Sequence, residues 1–350
     1  MTEVKPSHSI IGTTLAQDVY NEHGLLLLPA GAQLHQSDIR LLEAHQVNKV
    51  HIAATQEAPE MPTPILHWNE AQAAREYVMA VQQTEGLFKQ IASGSTPPLK
   101  KFNDAFYPLL DQVLQRWGFL RFIYIKEGTD NYTYRHSLNV GIVAALIGKI
   151  MGKSEQEIYL LGQIGLLHDV GKMMIPDELL SKPGHLTDEE YTIMKRHTQY
   201  GHQLLRSMED ADELMALCAL LHHERLDGTG YPEGRTKDTI PFECQIISVA
   251  DVFDAICTDR VYRRGTSPFE AANVLWEQAC TGKLNPLIVS RFIHYIVLLY
   301  VGSKAVLNSG EDVEIIMIHN DEPMRPLVRR GEEFLDLRQH RHLRIQKMIS

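Results

Sequence analysis

Long apolar runs are missing from this chain of 350 residues. The best candidate, Leu287–Val301, is interrupted by Arg291 and His294 and falls short of the roughly 20 apolar residues a spanning helix needs. The N-terminus carries Glu3 and Lys5 where a secretory leader would be apolar, so a cytoplasmic protein is expected. Cysteine is scarce, and Cys218, Cys244, Cys257 and Cys280 have no C-x-x-C spacing. Three of them fall in apolar, helix-like patterns, which predicts buried free thiols rather than disulfides or a zinc site. Positive charge is also in deficit: 34 Lys and Arg against 44 Asp and Glu leave a net charge of −10 and a pI near 5.9. That balance disfavours nonspecific binding to DNA or to an anionic membrane surface. Any anionic substrate must therefore meet locally clustered cations. Internal repeats and low-complexity segments are absent as well, which argues against solenoids and fibrous chains.

What is present is the composition of a folded protein, 44% hydrophobic and 22% charged, in a chain long enough for one large unit with smaller additions. From Ile10 to Ile52, short apolar runs alternate with turn signals at Asn21–Gly24 and Pro29–Gly31, and one amphipathic stretch spans Ser37–His45. This predicts a small β-rich unit with one helix, residues 1–57. The prolines between Ala58 and Pro64 mark a linker, because each removes a donor and restricts its predecessor. Helical patterns at Asn69–Ile91 and Pro108–Gly118, split at Ser93–Pro98, fill residues 58–128. From Thr129 to Val301 the period is helical throughout, with capping boxes at Ser154/Glu157 and Thr187/Glu190. Alternation returns at Val313–Ile318, Leu327–Val328 and Phe334–Leu337, so residues 302–350 are expected to form a short β-rich tail, a ribbon. The fold class is mainly α.

The 17 histidines hold the chemistry. His136, the pair His168-Asp169, His197, the pair His222-His223, and Asp251 each lie on or at the end of a predicted helix, and a bundle can aim them all inward. Neighbours on a helix point about 100° apart, so adjacent ligands suit two ions rather than one. A carboxylate such as Asp169 can bridge two metals roughly 3.5–4 Å apart, the arrangement that activates water and clamps a phosphodiester. Taken singly, each histidine is more often a helix cap or an exposed polar residue than a ligand; His185, His202, His294, His340 and His342 are read as ordinary polar positions.

The segments themselves match a known pattern. His168-Asp169-Val170-Gly171-Lys172 resembles the HD signature, and His222-His223-Glu224-Arg225-Leu226-Asp227-Gly228-Thr229-Gly230-Tyr231-Pro232 resembles the motif that names the HD-GYP family. Tyr134-Arg135-His136-Ser137, His197 with Gly201, and Val249–Ala255 are similar to the remaining ligand segments; Asp259–Arg263 also fits. The resemblance covers Thr129–Val301 and extends more weakly to Gly12–Ile52, which is similar to small domains found ahead of HD-GYP domains.

The resemblance implies an HD-type helical bundle and a bacterial signalling phosphodiesterase that cleaves cyclic di-GMP to pGpG or on to GMP. It implies His136, His168, Asp169, His197, His222, His223 and Asp251 as ligands of two divalent ions, iron or manganese by family expectation. It assigns Asp169 and Lys172 to catalysis, with Lys172 facing the substrate phosphate, less than one turn beyond Asp169. Arg225, Arg260, Arg263 and Arg264 are candidate phosphate or guanine contacts, since a guanidinium pairs bidentately with either. Gly230, Tyr231 and Pro232 shape the substrate loop, Tyr231 by packing. A homodimer and a signalling partner such as a diguanylate cyclase are compatible with this reading. Two departures from the family stand out. Asp130-Asn131-Tyr132 replaces a glutamate that holds a third metal in some members, and Asn285-Pro286 stands where Asp-Pro is frequent.

Overall fold

The computed structural model describes residues 2–6, 10, 13–20, 26–28, 34, 38–39, 42, 47–52, 70–115, 120, 132–258 and 267–349. Two compact units emerge, Met1–Leu66 and His67–Ser350. In the first, β1 (Thr2–Val4) pairs antiparallel with β4 (Val50–Ile52), and β2 (Val19–Tyr20) pairs antiparallel with β3 (Leu26–Leu28). Leu15, Leu34, Ile39 and Leu42 close a separate small core beneath them.

The second unit opens with α1 (Glu70–Ala92) and α2 (Leu99–Gln115). The expected start of the second helix at Pro108 is corrected: α2 begins directly after Pro97-Pro98 and runs through Pro108. An interior proline costs about 3 kcal/mol through its lost hydrogen bond and ring clash. The apolar stripe Leu99, Phe102, Phe106, Leu109, Leu110 and Val113 is buried along the whole helix, and at about 1.5–3 kcal/mol per buried large side chain it outweighs that cost.

The bundle proper consists of α3 (Tyr132–Ile150), α4 (Glu155–Leu167), a 3-10 turn at Val170–Met174, α5 (Asp177–Leu180), α6 (Asp188–Lys195), α7 (His197–Arg206), α8 (Glu213–Leu221), α9 (Phe242–Cys257), α10 (Pro268–Cys280) and α11 (Pro286–Leu298). Both expected capping boxes are in place, Ser154 with Glu157 ahead of α4 and Thr187 with Glu190 ahead of α6. In α3 every residue from His136 to Gly148 is buried, so this helix is the central post against which α4 and α9 pack. Asn285 caps α11: its Oδ1 accepts from Leu287 N at 3.0 Å while its Nδ2 donates to Gln245 at 2.7 Å. The asparagine thus caps as an aspartate would and adds a donor that an aspartate lacks.

After α11 the chain forms β5 (Lys304–Leu307), β6 (Asp312–Met317), β7 (Leu327–Arg330), β8 (Glu333–Asp336) and β9 (Ile345–Met348). They make one antiparallel sheet in the order β8-β7-β6-β5-β9, larger than the expected ribbon. Ala305, Leu307, Val313, Ile315, Val328 and Leu335 from this sheet join the same hydrophobic core as the helices. Cys218, Cys244 and Cys257 are free and buried, and Cys280 is free and exposed. Among the described residues no helix is long and apolar enough to cross a membrane.

Candidate metal centre

Helix ends deliver most of the site. His168 is the C-cap of α4, His197 opens α7 directly after α6, and His222 is the C-cap of α8. The last carbonyls of a helix have no partner within it, and here imidazoles take them up. His168 Nδ1 lies 2.7 Å from Gly165 O, His197 Nδ1 2.7 Å from Met194 O, and His222 Nδ1 3.0 Å from Ala219 O. His136, from the second turn of α3, has its Nδ1 2.7 Å from Asp254 Oδ2 on α9. A proton held on each Nδ1 by these acceptors leaves each Nε2 as the atom turned inward to take a metal.

All four Nε2 atoms converge on Asp169. Its Oδ1 lies 3.3 Å from His197 and 3.6 Å from His222, while its Oδ2 lies 3.4 Å from His168 and 3.5 Å from His136. Asp251 of α9 stands opposite, with Oδ1 3.1 Å from His136 Nε2 and Oδ2 3.7 Å from His223 Nδ1. The ligand atoms fall into two groups, Asp169, His197, His222 and His223 in one and His136, His168 and Asp251 in the other, each within 4.8 Å. One expectation is corrected here. His168 and Asp169 do divide between the groups, but His222 and His223 share one. His222 ends α8, so His223 is already outside the helix and free of the 100° separation; their ring centroids come within 4.1 Å.

The centre fits cations. His168 Nε2 and Asp169 Oδ1 are buried with no hydrogen-bond partner, which costs about 1–3 kcal/mol per polar group unless something binds there. His197 Nε2 and His222 Nε2 face each other at 3.3 Å, two lone pairs that only an electron-pair acceptor between them reconciles. The ligands are nitrogen and oxygen with no thiolate, a set suited to iron, manganese, zinc or nickel. Burial pushes the His197 imidazole down to about 3 and also lowers His222 and His223. Burial opposes ionisation of Asp169, but the Lys172 ammonium and His168 outweigh it and hold the carboxyl well below the usual range. Burial would likewise lower His136, yet its hydrogen bonds to Asp251 and Asp254 raise it to about 9.

The wall around the centre is built by close backbone approaches. A Cβ on Gly171 would overlap the His197 carbonyl and the Gly201 nitrogen, so only glycine lets the turn carrying Lys172 lie against α7. Gly230 is equally confined against the backbone of His223, Glu224 and Arg225. The buried Glu224 carboxylate accepts from Glu233 N at 2.7 Å and Arg235 N at 3.0 Å, folding the loop back on itself. This brings Tyr231, followed by Pro232, against His223 with ring centroids 4.7 Å apart. Lys172 forms an ion pair with Asp169 at the edge of the centre. Arg225 instead turns to its own loop, donating to Glu224 O at 3.2 Å. Arg260, Arg263 and Arg264 lie outside the described residues, as do Asp130 and Asn131, while Tyr132 stacks flat on His136 at 5.6 Å.

Sequence reasoning gave no role to Glu224, Asp254 or Ser248, whose Oγ donates to His222 O at 2.8 Å. Glu224 and Asp254 stood inside quoted motifs, and a buried carboxylate beside a ligand was the available signal.

Residues 129–288 match the HD domain family. A cyclic di-GMP phosphodiesterase of Pseudomonas aeruginosa is 31% identical over 243 residues, 69% of this chain and 58% of the relative. A cyclic di-GMP phosphodiesterase response regulator of Xanthomonas campestris is 43% identical over 137 residues, 39% of this chain and 36% of the relative. The chain thus spans well under two thirds of the length of either. Among solved structures, an HDG"Y"P protein of Bdellovibrio bacteriovorus shares the fold with a TM-score of 0.54 at 17% identity, over 84% of this chain and 99% of that one. The HD signature at His168-Asp169 and the further histidines gathered around it thus lie within the segment that matches the HD domain family.

Proposed function

We propose that this protein is a phosphodiesterase of bacterial second-messenger signalling that hydrolyses cyclic di-GMP to pGpG or GMP with two divalent ions, iron or manganese. The observation that carries this reading is the convergence of four Nε2 atoms on the two oxygens of Asp169, with His168 Nε2 and Asp169 Oδ1 buried and unpartnered. Two bound ions would supply Lewis acidity at the phosphodiester and lower the pKa of the attacking water. His136, His168 and Asp251 would hold one, His197, His222 and His223 the other, and Asp169 would stand between them.

The chain's own groups do the rest. Asp254, Gly165 O, Met194 O and Ala219 O fix the imidazole protons on Nδ1, so the inward nitrogens need no rearrangement. Lys172, part-buried beside Asp169, places a positive charge where a phosphorane develops negative charge. Gly230, Tyr231 and Pro232 close one wall against the substrate, with the Tyr231 ring packed on His223. Arg260 and Arg263 are assigned to the substrate's phosphates or guanines, and Arg225 to stiffening the loop that holds Tyr231. The stretch Asp130-Asn131-Tyr132, which lacks the glutamate of some family members, favours two ions over three. Free cysteines agree with a cytoplasmic location.

The test is turnover by full-length, anaerobically purified protein loaded with iron or manganese. Cyclic di-GMP, the mixed cyclic GMP-AMP and a simple phosphodiester are offered side by side. Cyclic di-GMP should be cleaved fastest, and both His168→Ala and Asp169→Ala should abolish cleavage. Undiminished turnover in the two variants would remove the proposed site; faster cleavage of the mixed dinucleotide would reassign the substrate.

A further inference from the structure

His136 is held in place by more than Asp254. Asn139, one turn further along α3, donates from Nδ2 to Asp254 Oδ1 at 2.9 Å. Its own Oδ1 accepts from the Tyr77 hydroxyl at 2.7 Å. Thr258 Oγ1 adds a second donor to Asp254 Oδ1 at 2.9 Å. Every member of this chain of hydrogen bonds is buried. Donor directions are consistent along it: the phenol donates to the amide oxygen, the amide nitrogen to the carboxylate, and the carboxylate accepts from His136 Nδ1. The amide can be oriented only this way, since its opposite setting would press Asn139 Oδ1 against an anionic oxygen.

Tyr77 comes from α1, which lies outside residues 129–288 and is the first helix of the second unit. We propose that Tyr77 is a positioning residue for the metal ligand His136, acting through Asn139 and Asp254, so that α1 is a working part of the metal centre and not only a cover for the bundle. The inference rests on the metal reading above.

The chemistry required of Tyr77 is that of a permanent donor. Burial pushes its phenol up to about 12, so the proton stays in place across the physiological range. Arg135 approaches the same hydroxyl as a donor, which leaves the phenolic proton directed at Asn139. Without the hydroxyl, the buried Asn139 Oδ1 loses its partner, and the amide is no longer held in the orientation that serves Asp254. Asp254 then fixes the His136 proton on Nδ1 less firmly, and the Nε2 lone pair is less well aimed. Substitution of such outer partners of a metal-binding histidine typically weakens metal affinity by about 10–100-fold.

The experiment compares Tyr77→Phe with Val81→Ala in the full chain. Val81 is buried one turn along the same helix and has no polar side-chain atom with which to join the hydrogen-bond chain, so it reports what loosening α1 alone does. Manganese affinity is measured by chelator competition, thermal unfolding of the metal-free proteins by calorimetry, and turnover of cyclic di-GMP in parallel. The expected result is roughly tenfold weaker manganese binding in Tyr77→Phe, with Val81→Ala unchanged in affinity even where its unfolding temperature falls further. Equal weakening in both variants would reduce Tyr77 to a packing role and overturn the proposal. Unchanged affinity in Tyr77→Phe would overturn it too, as would a wild-type protein that binds no manganese. A wild-type protein that binds manganese in a Tyr77-dependent way but leaves cyclic di-GMP intact would uphold the positioning role while refuting the substrate assignment.

Discussion

Asp169→Asn is the most informative single change, because it keeps the shape of the side chain and removes the one charge that both ligand groups share. The Asp169 oxygens stand 3.3–3.6 Å from four histidine nitrogens, so an ion among them sits within a few ångströms of the carboxylate. A unit charge pair at about 4 Å, with an effective dielectric constant of about 20, is worth about 4 kcal/mol. At about 1.4 kcal/mol per decade this corresponds to roughly a thousandfold loss of affinity. Wild-type protein in manganese at about 100 times its dissociation constant gains about 2.7 kcal/mol. For a domain of this size that raises Tm by roughly 4–5 °C. The same manganese concentration would be only about a tenth of the variant's dissociation constant, and the shift should fall below about 1 °C. Calorimetry of each protein with and without manganese reads this directly, each variant serving as its own baseline. A manganese-induced shift in Asp169→Asn equal to that of the wild type would refute the reasoning, since the ions would then be held without the bridging carboxylate.

Three further outcomes follow from geometry and charge. His136 is raised from 6.5 to about 9 in the metal-free fold, so it holds a proton at neutral pH that a metal must displace. Manganese binding near pH 7.5 should therefore release protons, seen as a buffer-dependent heat in titration calorimetry and diminished in His136→Ala; equal heats in all buffers would contradict it. The same raised value means that the stabilisation His136 gives the metal-free protein is complete below about pH 6.5 and is lost as pH rises through about 9. Denaturant midpoints of the metal-free protein should fall across that window, less so in His136→Ala. Gly171→Ala, whose Cβ overlaps His197 O and Gly201 N, should cost about 3 kcal/mol or more. It should also weaken manganese binding by displacing His197; a variant with wild-type Tm and affinity would show that the turn can yield.

The candidate histidines and aspartates were legible because their segments resemble a known motif pattern, and the structure gathers their side chains into two groups. The bundle was legible through the helical period and through capping side chains, both of which are local. What escaped has a physical cause in each case. Pro108 reads as a helix start, yet it lies inside α2 because the apolar stripe on both sides of it outweighs one missing hydrogen bond. Strands β5 and β9 are four residues each, and in β9 only Ile345 is buried, too little alternation to register. The pairing of His222 with His223 in one group depended on where α8 stops, and helix ends are the least certain boundary in any sequence. Tyr77 and Asn139 are 62 residues apart, and nothing local to either reveals that they meet.

The seam between the last helix and the sheet carries a practical message for anyone cutting this protein into pieces. A fragment trimmed to the matched residues would end at 288, within α11. It would leave behind Phe292, Ile293, Ile296 and Tyr300 together with the inner face of the sheet, all of which share one core with the bundle. Such a fragment would present a raw oily flank to water and should clump on expression. The smallest soluble piece is accordingly set by where the oil ends, at about β9, rather than by where the recognisable lettering does.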